Sequence, residues 1–368
     1  MEEFNTIADW KNFIENNYKN EVVQKALVSY LSNLYEKKTI VIFTFEHLSK
    51  LIGLDVRILA KIIHNQSYYY HTFIIPKRNG KFREISAPSS VLLNCQRWIY
   101  RNLLINIPLH NNCFGFREGF SIRNNAIEHL GTKFLLKLDL KDFFPSISKK
   151  RVIAIFVNLG YTPKLSYCLA SICTLNDKLP QGAPTSPAIS NIIAKRLDYR
   201  LSGFANKFNL NYSRYADDLT FSGDRIPIKL TNYIEMIVND EGFELNKSKL
   251  KLLSPTKRKI VTGVSISSNK ATIPRAKKRL IKQEIYYIIN YGIENHLKKR
   301  NIDDPIYIDR LLGYLYFWKS IEPENEFIIK SIILIKEKSE ELNDVYLNMK
   351  CNLEYTAFNT VNPNSINI

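Results

Sequence analysis

Apolar and polar positions change their period several times along the chain, and each change predicts an element. Between about residue 8 and residue 66 apolar side chains recur at helical spacing, as in Trp10, Phe13 and Ile14, then Val22, Ala26, Leu27, Tyr30 and Leu31. Phe45 to Leu51 and Leu54 to Ile63 predict two short helices around Gly53. From Tyr68 to Ile75 the composition turns to that of a strand. Lys77-Arg78-Asn79-Gly80-Lys81-Phe82-Arg83-Glu84-Ile85 then predicts a strand, an Asn-Gly turn and a second strand. Val91 to Ile105 predicts a helix. Phe134 to Leu140, apolar except for Lys137 and Asp139, predicts a buried strand that ends on a carboxylate. Helix is predicted from Arg151 to Leu175 with a break at 158–161, a loop over Pro180 to Pro184, and a helix from Ala188. Tyr212 to Phe221 predicts a hairpin, Val261 to Ile266 a strand, and the chain beyond Pro274 helix to about Asn348. The polar stretch Asn359 to Ile368 is expected to fray.

The predicted hairpin carries the chemistry. Asp217 and Asp218 follow Tyr212-Ser213-Arg214-Tyr215 and precede Leu219-Thr220-Phe221, so two adjacent carboxylates sit in half-buried surroundings. Burying unpaired carboxylates is costly, and a cation between them is a usual compensation. Asp139 supplies a third acid at a strand end; Asp142 is its competitor, placed in the following turn. Three hard-oxygen ligands of this kind suit two Mg²⁺ ions that flank a reacting phosphate.

Charge narrows the substrate. The 368 residues hold 52 Lys and Arg against 35 Asp and Glu, a formal net charge of +17, which favours polyanions such as nucleic acid or an anionic membrane surface. Tyr (21) and Phe (20) interleave with the basic groups, a mixture that suits single strands. The five cysteines, Cys95, Cys113, Cys168, Cys173 and Cys351, match no zinc spacing and fit a reducing cytosol. The start, Met1-Glu2-Glu3-Phe4, lacks a signal-like apolar region, and no apolar run is long enough to span a bilayer. The expected location is therefore cytoplasmic, with no membrane partner.

Leu138-Asp139-Leu140-Lys141-Asp142-Phe143-Phe144-Pro145-Ser146-Ile147 resembles the first catalytic motif of reverse transcriptases. Leu179-Pro180-Gln181-Gly182-Ala183-Pro184-Thr185-Ser186-Pro187 resembles their nucleotide-binding loop, and Tyr215 to Asp218 their catalytic hairpin. The three stand in family order, and the likeness runs from about residue 69 to 266. It implies an α+β right-hand polymerase: a helical N-terminal extension (1–67), fingers (68–130), a palm with a small antiparallel sheet (131–266, including a finger-like helical insertion at 150–190), a helical thumb (267–350) and a flexible tail (351–368). It implies that Asp139, Asp217 and Asp218 ligate two Mg²⁺ ions, with the backbone carbonyl of Leu140 as a further ligand. Phe144 matches the ring that crowds the sugar 2′ carbon, with Phe143 beside it a core aromatic. Gln181 would contact the incoming dNTP, and Gly182 would let the backbone come close. Lys77 and Arg83 would hold the triphosphate, with Arg78 and Lys81 as rivals. Lys249 would lie near the leaving pyrophosphate, with Lys247 as the alternative.

Two stretches narrow the resemblance to retron reverse transcriptases: Asn125-Ala126-Ile127-Glu128-His129, and Val261-Thr262-Gly263. Gly115-Phe116-Arg117-Glu118-Gly119 adds to it; Val264 departs from the Leu expected after Gly263. This likeness implies an RNA-directed DNA polymerase that copies a cognate structured noncoding RNA, priming from a guanosine 2′-hydroxyl, into RNA-linked single-stranded DNA. The partners would be that RNA, its RNA–DNA hybrid product, dNTPs and a separate effector protein in an antiphage system. RNA contacts are expected at Asn125, His129, Val261, Thr262 and Gly263, and at Arg275, Lys278 and Lys282 of the basic helix that follows Pro274. The alternatives are another bacterial reverse transcriptase, defence-associated or intron maturase-like, and a catalytically silent RNA-binding scaffold.

Overall fold

The computed structural model describes residues 6–76, 80 and 82–341. Helices α1 (Ile7–Asn17), α2 (Glu21–Glu36), α3 (Phe45–Ile52) and α4 (Val56–His64) come first. Strands β1 (Tyr70–Pro76) and β2 (Phe82–Pro88), then α5 (Ser90–Ile99), α6 (Ile122–Ile127) and β3 (Phe134–Asp139) follow. Next are α7 (Lys149–Asn158), α8 (Pro163–Cys173), α9 (Ser186–Ile193) and α10 (Lys195–Asn206), then β4 (Asn211–Tyr215), β5 (Asp218–Gly223), α11 (Leu230–Asp240) and β6 (Lys251–Leu253). The described residues end with β7 (Ile260–Val261), β8 (Val264–Ser265), α12 (Arg275–Tyr291), α13 (Ile293–Lys299), α14 (Tyr307–Ile321) and a helix over 326–341. Two units divide it: Met1–Ser121 with Thr132–Pro255, and Ile122–Gly131 with Thr256–Ile368.

In the first unit the helices start where the sequence supplies caps. Thr6, Asn20, Thr44 and Asp55 each accept a backbone N–H of the helix that follows, which satisfies donors the helix cannot. Leu34, Ile42, Leu48, Leu59 and Ile62 from this region join one buried cluster with Leu92 and Ile99 of α5, Phe156 of α7 and Leu169 of α8. Polar ties reinforce that packing. Lys37 Nζ donates to the Asn158 carbonyl (2.8 Å), and the Tyr161 hydroxyl donates to the Ile40 carbonyl (2.8 Å). The N-terminal helices therefore share a core with the elements after them.

A four-stranded sheet of order β4-β5-β3-β6, antiparallel throughout, lies at the centre of this unit. β3 is nearly continuous in apolar residues because it is paired on both edges, with Leu135, Leu136 and Leu138 buried. β1 and β2 form a separate antiparallel hairpin, in which Ile75 faces Arg83.

The second unit holds α6, the β7–β8 hairpin and helices α12 to α14. Here the single strand expected over Val261 to Ile266 is two short strands about a tight turn. Thr262 (φ 46°) and Gly263 (φ 86°) both take positive φ, as a two-residue hairpin turn requires, and that turn overrides the β-branched composition. The helix expected over 91–105 is α-helical only to Ile99 and continues as a π turn, Tyr100–Leu104. The helix expected at Ala188 begins at Ser186. Cys95, Cys113, Cys168 and Cys173 are free thiols, and Cys351 lies outside the described residues. Among the described residues no helix is long and apolar enough to cross a membrane.

Candidate active site

β3 and β5 are paired so that Asp139 stands directly opposite Asp218. β4 and β5 are joined by a two-residue turn, Ala216-Asp217, between the paired Tyr215 and Asp218. Ala216 adopts φ 56°, a position where glycine is ordinarily favoured. The Leu140 N–H donates to the Asp217 carbonyl at 2.9 Å, which locks the turn to the end of β3. In an extended strand a residue's N–H and C=O point to the same side, so the Leu140 carbonyl also faces the hairpin. Asp139 and the distant adjacent pair Asp217 and Asp218 are thus brought to one sheet end, while Asp142 lies exposed in the next turn with φ 45°.

The electrostatics follow from that placement. Burial, followed by the charges of Asp218 and Asp139, raises the Asp217 carboxyl to about 6. Asp218 is also raised, by burial first, with Lys137 acting against it and Asp139 with it. Lys249 Nζ sits 2.6 Å from Asp139 Oδ1. Burial works against that ammonium, but the hydrogen bond and charge of Asp139 outweigh it and hold Lys249 above its ordinary value. Asn246 Nδ2 adds a longer contact to Asp139 Oδ2 (3.3 Å). Lys247, the alternative to Lys249, instead pairs with Glu235 at 2.7 Å. Among the described residues no three acid, imidazole or thiol groups already converge on a single metal-sized point. A lysine supplies the counter-charge at Asp139 in this conformation.

A buried polar network beneath the hairpin went unseen in the sequence. Arg214 is fully buried and donates through Nε and Nη2 to Asp198, each at 2.7 Å. Its Nη1 reaches the Asn191 side-chain oxygen (3.0 Å) and the Ala216 carbonyl (3.1 Å). Tyr212 donates to Asp198 (2.8 Å), and Asn191 Nδ2 donates to the Gly115 carbonyl (2.8 Å). Burial disfavours the guanidinium, but Asp198 outweighs it and raises the Arg214 pKa. Gly115 lies against the turn so closely that a Cβ there would stand 2.6 Å from the Ala216 nitrogen. The available signal was the strand register: Tyr212 and Arg214 alternate with exposed Asn211 and buried Ser213, and a charge in a strand otherwise destined for the interior calls for a partner.

The remaining expected residues fall as follows. Phe143 is buried against Phe243, whereas Phe144 is partly exposed, its ring 6.2 Å from that of Phe116. Gln181 accepts the Ser86 N–H on its carbonyl (2.8 Å). Gly182 has φ 129°, and a Cβ on it would meet the Ser86 carbonyl at 2.6 Å. The close approach that glycine permits here is to β2. Arg83 is exposed on β2; Lys77, with its rivals Arg78 and Lys81, lies outside the described residues.

In the second unit Asn125, His129 and Val261 are buried, so their side chains present no surface to RNA. Asn125 Nδ2 donates to the Thr262 hydroxyl at 3.3 Å, and that hydroxyl donates to the Ile122 carbonyl at 3.4 Å. The two short stretches Asn125–His129 and Val261–Gly263 therefore form one cluster, with Glu128 and Gly263 exposed and Ile127 and Thr262 partly so. Arg275 is exposed at the start of α12. Lys278 pairs with Glu322 at 2.8 Å, and Lys282 Nζ lies 4.7 Å from the Phe327 ring centre. Against its own burial, hydrogen bonds from Lys278, Thr272, Asn325 and Trp318 hold the Glu322 carboxyl at about 2.

Residues 75–287 match the family described as reverse transcriptase (RNA-dependent DNA polymerase). The chain belongs to the reverse transcriptase family. The retron Ec86 reverse transcriptase of Escherichia coli is 36% identical over 66% of this chain and 77% of its own length. The retron Mx65 reverse transcriptase of Myxococcus xanthus is 33% identical over 76% of this chain and 69% of its own. A solved Candida albicans telomerase structure aligns over 73% of this chain and 63% of its own at 12% identity, with a TM-score of 0.40. By the family match and the two retron enzymes, the chain is a retron-type reverse transcriptase of right-hand polymerase fold, an RNA-directed DNA polymerase acting on an RNA template and dNTPs.

Proposed function

We propose that this reverse transcriptase copies a cognate structured noncoding RNA into single-stranded DNA that stays joined to the RNA, primed from a guanosine 2′-hydroxyl. The observation that carries the retron reading is the meeting of Asn125 with Thr262, which joins two stretches that are 137 positions apart and resemble retron signatures. Similarity to several retron enzymes supports the same reading. The cytoplasm is the compartment proposed, and an antiphage role with a separately encoded effector completes the proposal.

Asp139, Asp217, Asp218 and the Leu140 carbonyl would hold two Mg²⁺ ions. The donor set fits hard cations: all oxygen, with burial first and mutual repulsion second raising Asp217. When bound, such ions stabilise charge on the attacking and leaving oxygens. The chain's own part is alignment. The sheet pairing fixes Asp139 against Asp218, and the Leu140–Asp217 hydrogen bond fixes the turn. Lys249 balances Asp139 and, once released, can meet the negative charge of the leaving pyrophosphate. Phe144 walls the sugar, and Gln181, Arg83 and Lys77 receive the nucleotide. RNA contacts are proposed at the Thr262–Gly263 turn, with Asn125, His129 and Val261 supporting it from within, and at Arg275, Lys278 and Lys282.

The test is to purify the protein from its native host and sequence the bound nucleic acid. One RNA species with DNA attached through a 2′-linked guanosine is expected, and reconstitution with that RNA, but not with the RNA of an unrelated retron, should give DNA synthesis. Equal synthesis on any structured RNA sinks the retron reading while leaving the polymerase intact.

A further inference from the structure

Phe116 is held in an unfavourable backbone conformation. Its φ is 56°, a region in which a bulky aromatic residue is strained, and the residue is 46% exposed. Neither strain nor exposure contributes to stability, yet the surroundings enforce both. The Phe114 N–H is held by the Arg214 carbonyl (2.9 Å), the Gly115 carbonyl by Asn191 (2.8 Å), and Arg117 Nη1 by the His110 carbonyl (3.2 Å). The ring that results stands 6.2 Å from Phe144 and 6.3 Å from Tyr215, the residue that enters the catalytic turn.

Phe116 also lines an open cleft of about 740 Å³, whose walls include Arg97, Arg101, Arg117, Pro187 and Tyr215. Arg97 and Arg101 are exposed on α5 and the π turn after it. Arg117 spreads its guanidinium over the Phe120 ring at 4.0 Å. Glu118 is the one carboxylate in the lining. Cationic walls with an exposed ring between them are what an unpaired polynucleotide strand requires: phosphates meet arginine, and a base stacks on the ring. A base already in a duplex has its faces covered by neighbouring pairs, so the cleft suits the strand that has yet to be copied.

We propose that Phe116 is the stacking platform for an unpaired template nucleotide next to the pairing position, with Arg97, Arg101 and Arg117 meeting that strand's phosphates. This rests on the polymerase reading of the site. The strain at Phe116 aims its ring at the approaching base, and the network that fixes the catalytic turn fixes the ring as well.

The experiment uses a primed template with 2-aminopurine at the first unpaired position, whose fluorescence falls on stacking. Wild type is expected to quench the probe and extend the primer. Phe116→Leu keeps the backbone strain and an apolar side chain but removes the ring; it is expected to lose the quenching and to bind the unpaired template end roughly 5- to 150-fold more weakly, the range for one stacked base. Phe116→Tyr should restore both. If Phe116→Leu quenches and binds as wild type does, the proposal falls and the polymerase stands. A raised KM for dNTP with unchanged quenching also overturns it, by assigning the ring to the nucleotide. Wild-type protein that extends no template overturns the polymerase reading and this proposal with it.

Discussion

Replacing Asp217 by Asn should make the protein more stable and catalytically dead. The Asp217 carboxyl is moved from an ordinary 3.8 to about 6, by burial first and then by Asp218 and Asp139. That difference corresponds to about 3 kcal/mol of destabilisation when the group is ionised. The sign is fixed by linkage. Because the folded value lies above the unfolded one, the folded state binds the proton more tightly, and stability is lost as pH rises from about 4 through about 6. An amide carries no charge and escapes the penalty. In divalent-free buffer at pH 7, Asp217→Asn should therefore gain about 2–3 kcal/mol, a Tm rise of roughly 4–10 °C in a domain of this size. The gain should shrink to roughly 0.5 kcal/mol at pH 4, where the unfolded carboxyl is still about half ionised, and vanish below about pH 3, where wild type is protonated in both states. Adding Mg²⁺ should raise the Tm of wild type at pH 7 and leave the variant nearly unmoved, and primer extension by the variant should fall below detection. Thermal scans of both proteins at pH 4 and pH 7, with and without Mg²⁺, provide the measurement. A variant no more stable than wild type at pH 7, or equally advantaged at pH 4, would refute the electrostatic account of the site.

Two other outcomes follow from the geometry. Phe144→Ala should raise ribonucleotide use relative to dNTP in single-nucleotide incorporation; unchanged sugar selectivity would remove Phe144 from the wall of the sugar site. Arg214→Met should cost about 3–5 kcal/mol, because Asp198 is left buried and unpaired. Combining it with Asp198→Leu should recover much of that stability in denaturant unfolding, yet the double variant should stay slow in extension, since the Ala216 carbonyl loses its anchor. Full recovery of rate along with stability would show that the network only holds the fold.

What could be read from the sequence, and what could not, divides along a physical line. β3 and the β4–β5 hairpin were legible because their apolar runs and turn residues act locally. The meeting of Asp139 with the turn was legible only through family order, since nothing local sets strand pairing. The hairpin of Val261 to Ser265 was hidden because its residues favour a strand, and only the positive φ of Thr262 and Gly263 breaks it. The burial of Asn125 and His129 was equally hidden: polar side chains look like ligands until the residues packed on them are known. Arg214 was overlooked for a related reason. Its partner Asp198 lies 16 positions away on a helix, α10, while Arg214 is on strand β4, and the pair has no signature in spacing.

The hydrogen bond from Ser86 to the Gln181 carbonyl, with Gly182 pressed on the Ser86 carbonyl, has a mechanical consequence. It rivets β2 to the loop ahead of α9 at one peptide. The hairpin of β1 and β2 cannot pivot as a whole about its base without dragging that loop along. Any closing stroke must bend the outer portion, beyond Ile85, or carry Gln181 with it. In the second case a single travel would move Arg83 and Gln181 together.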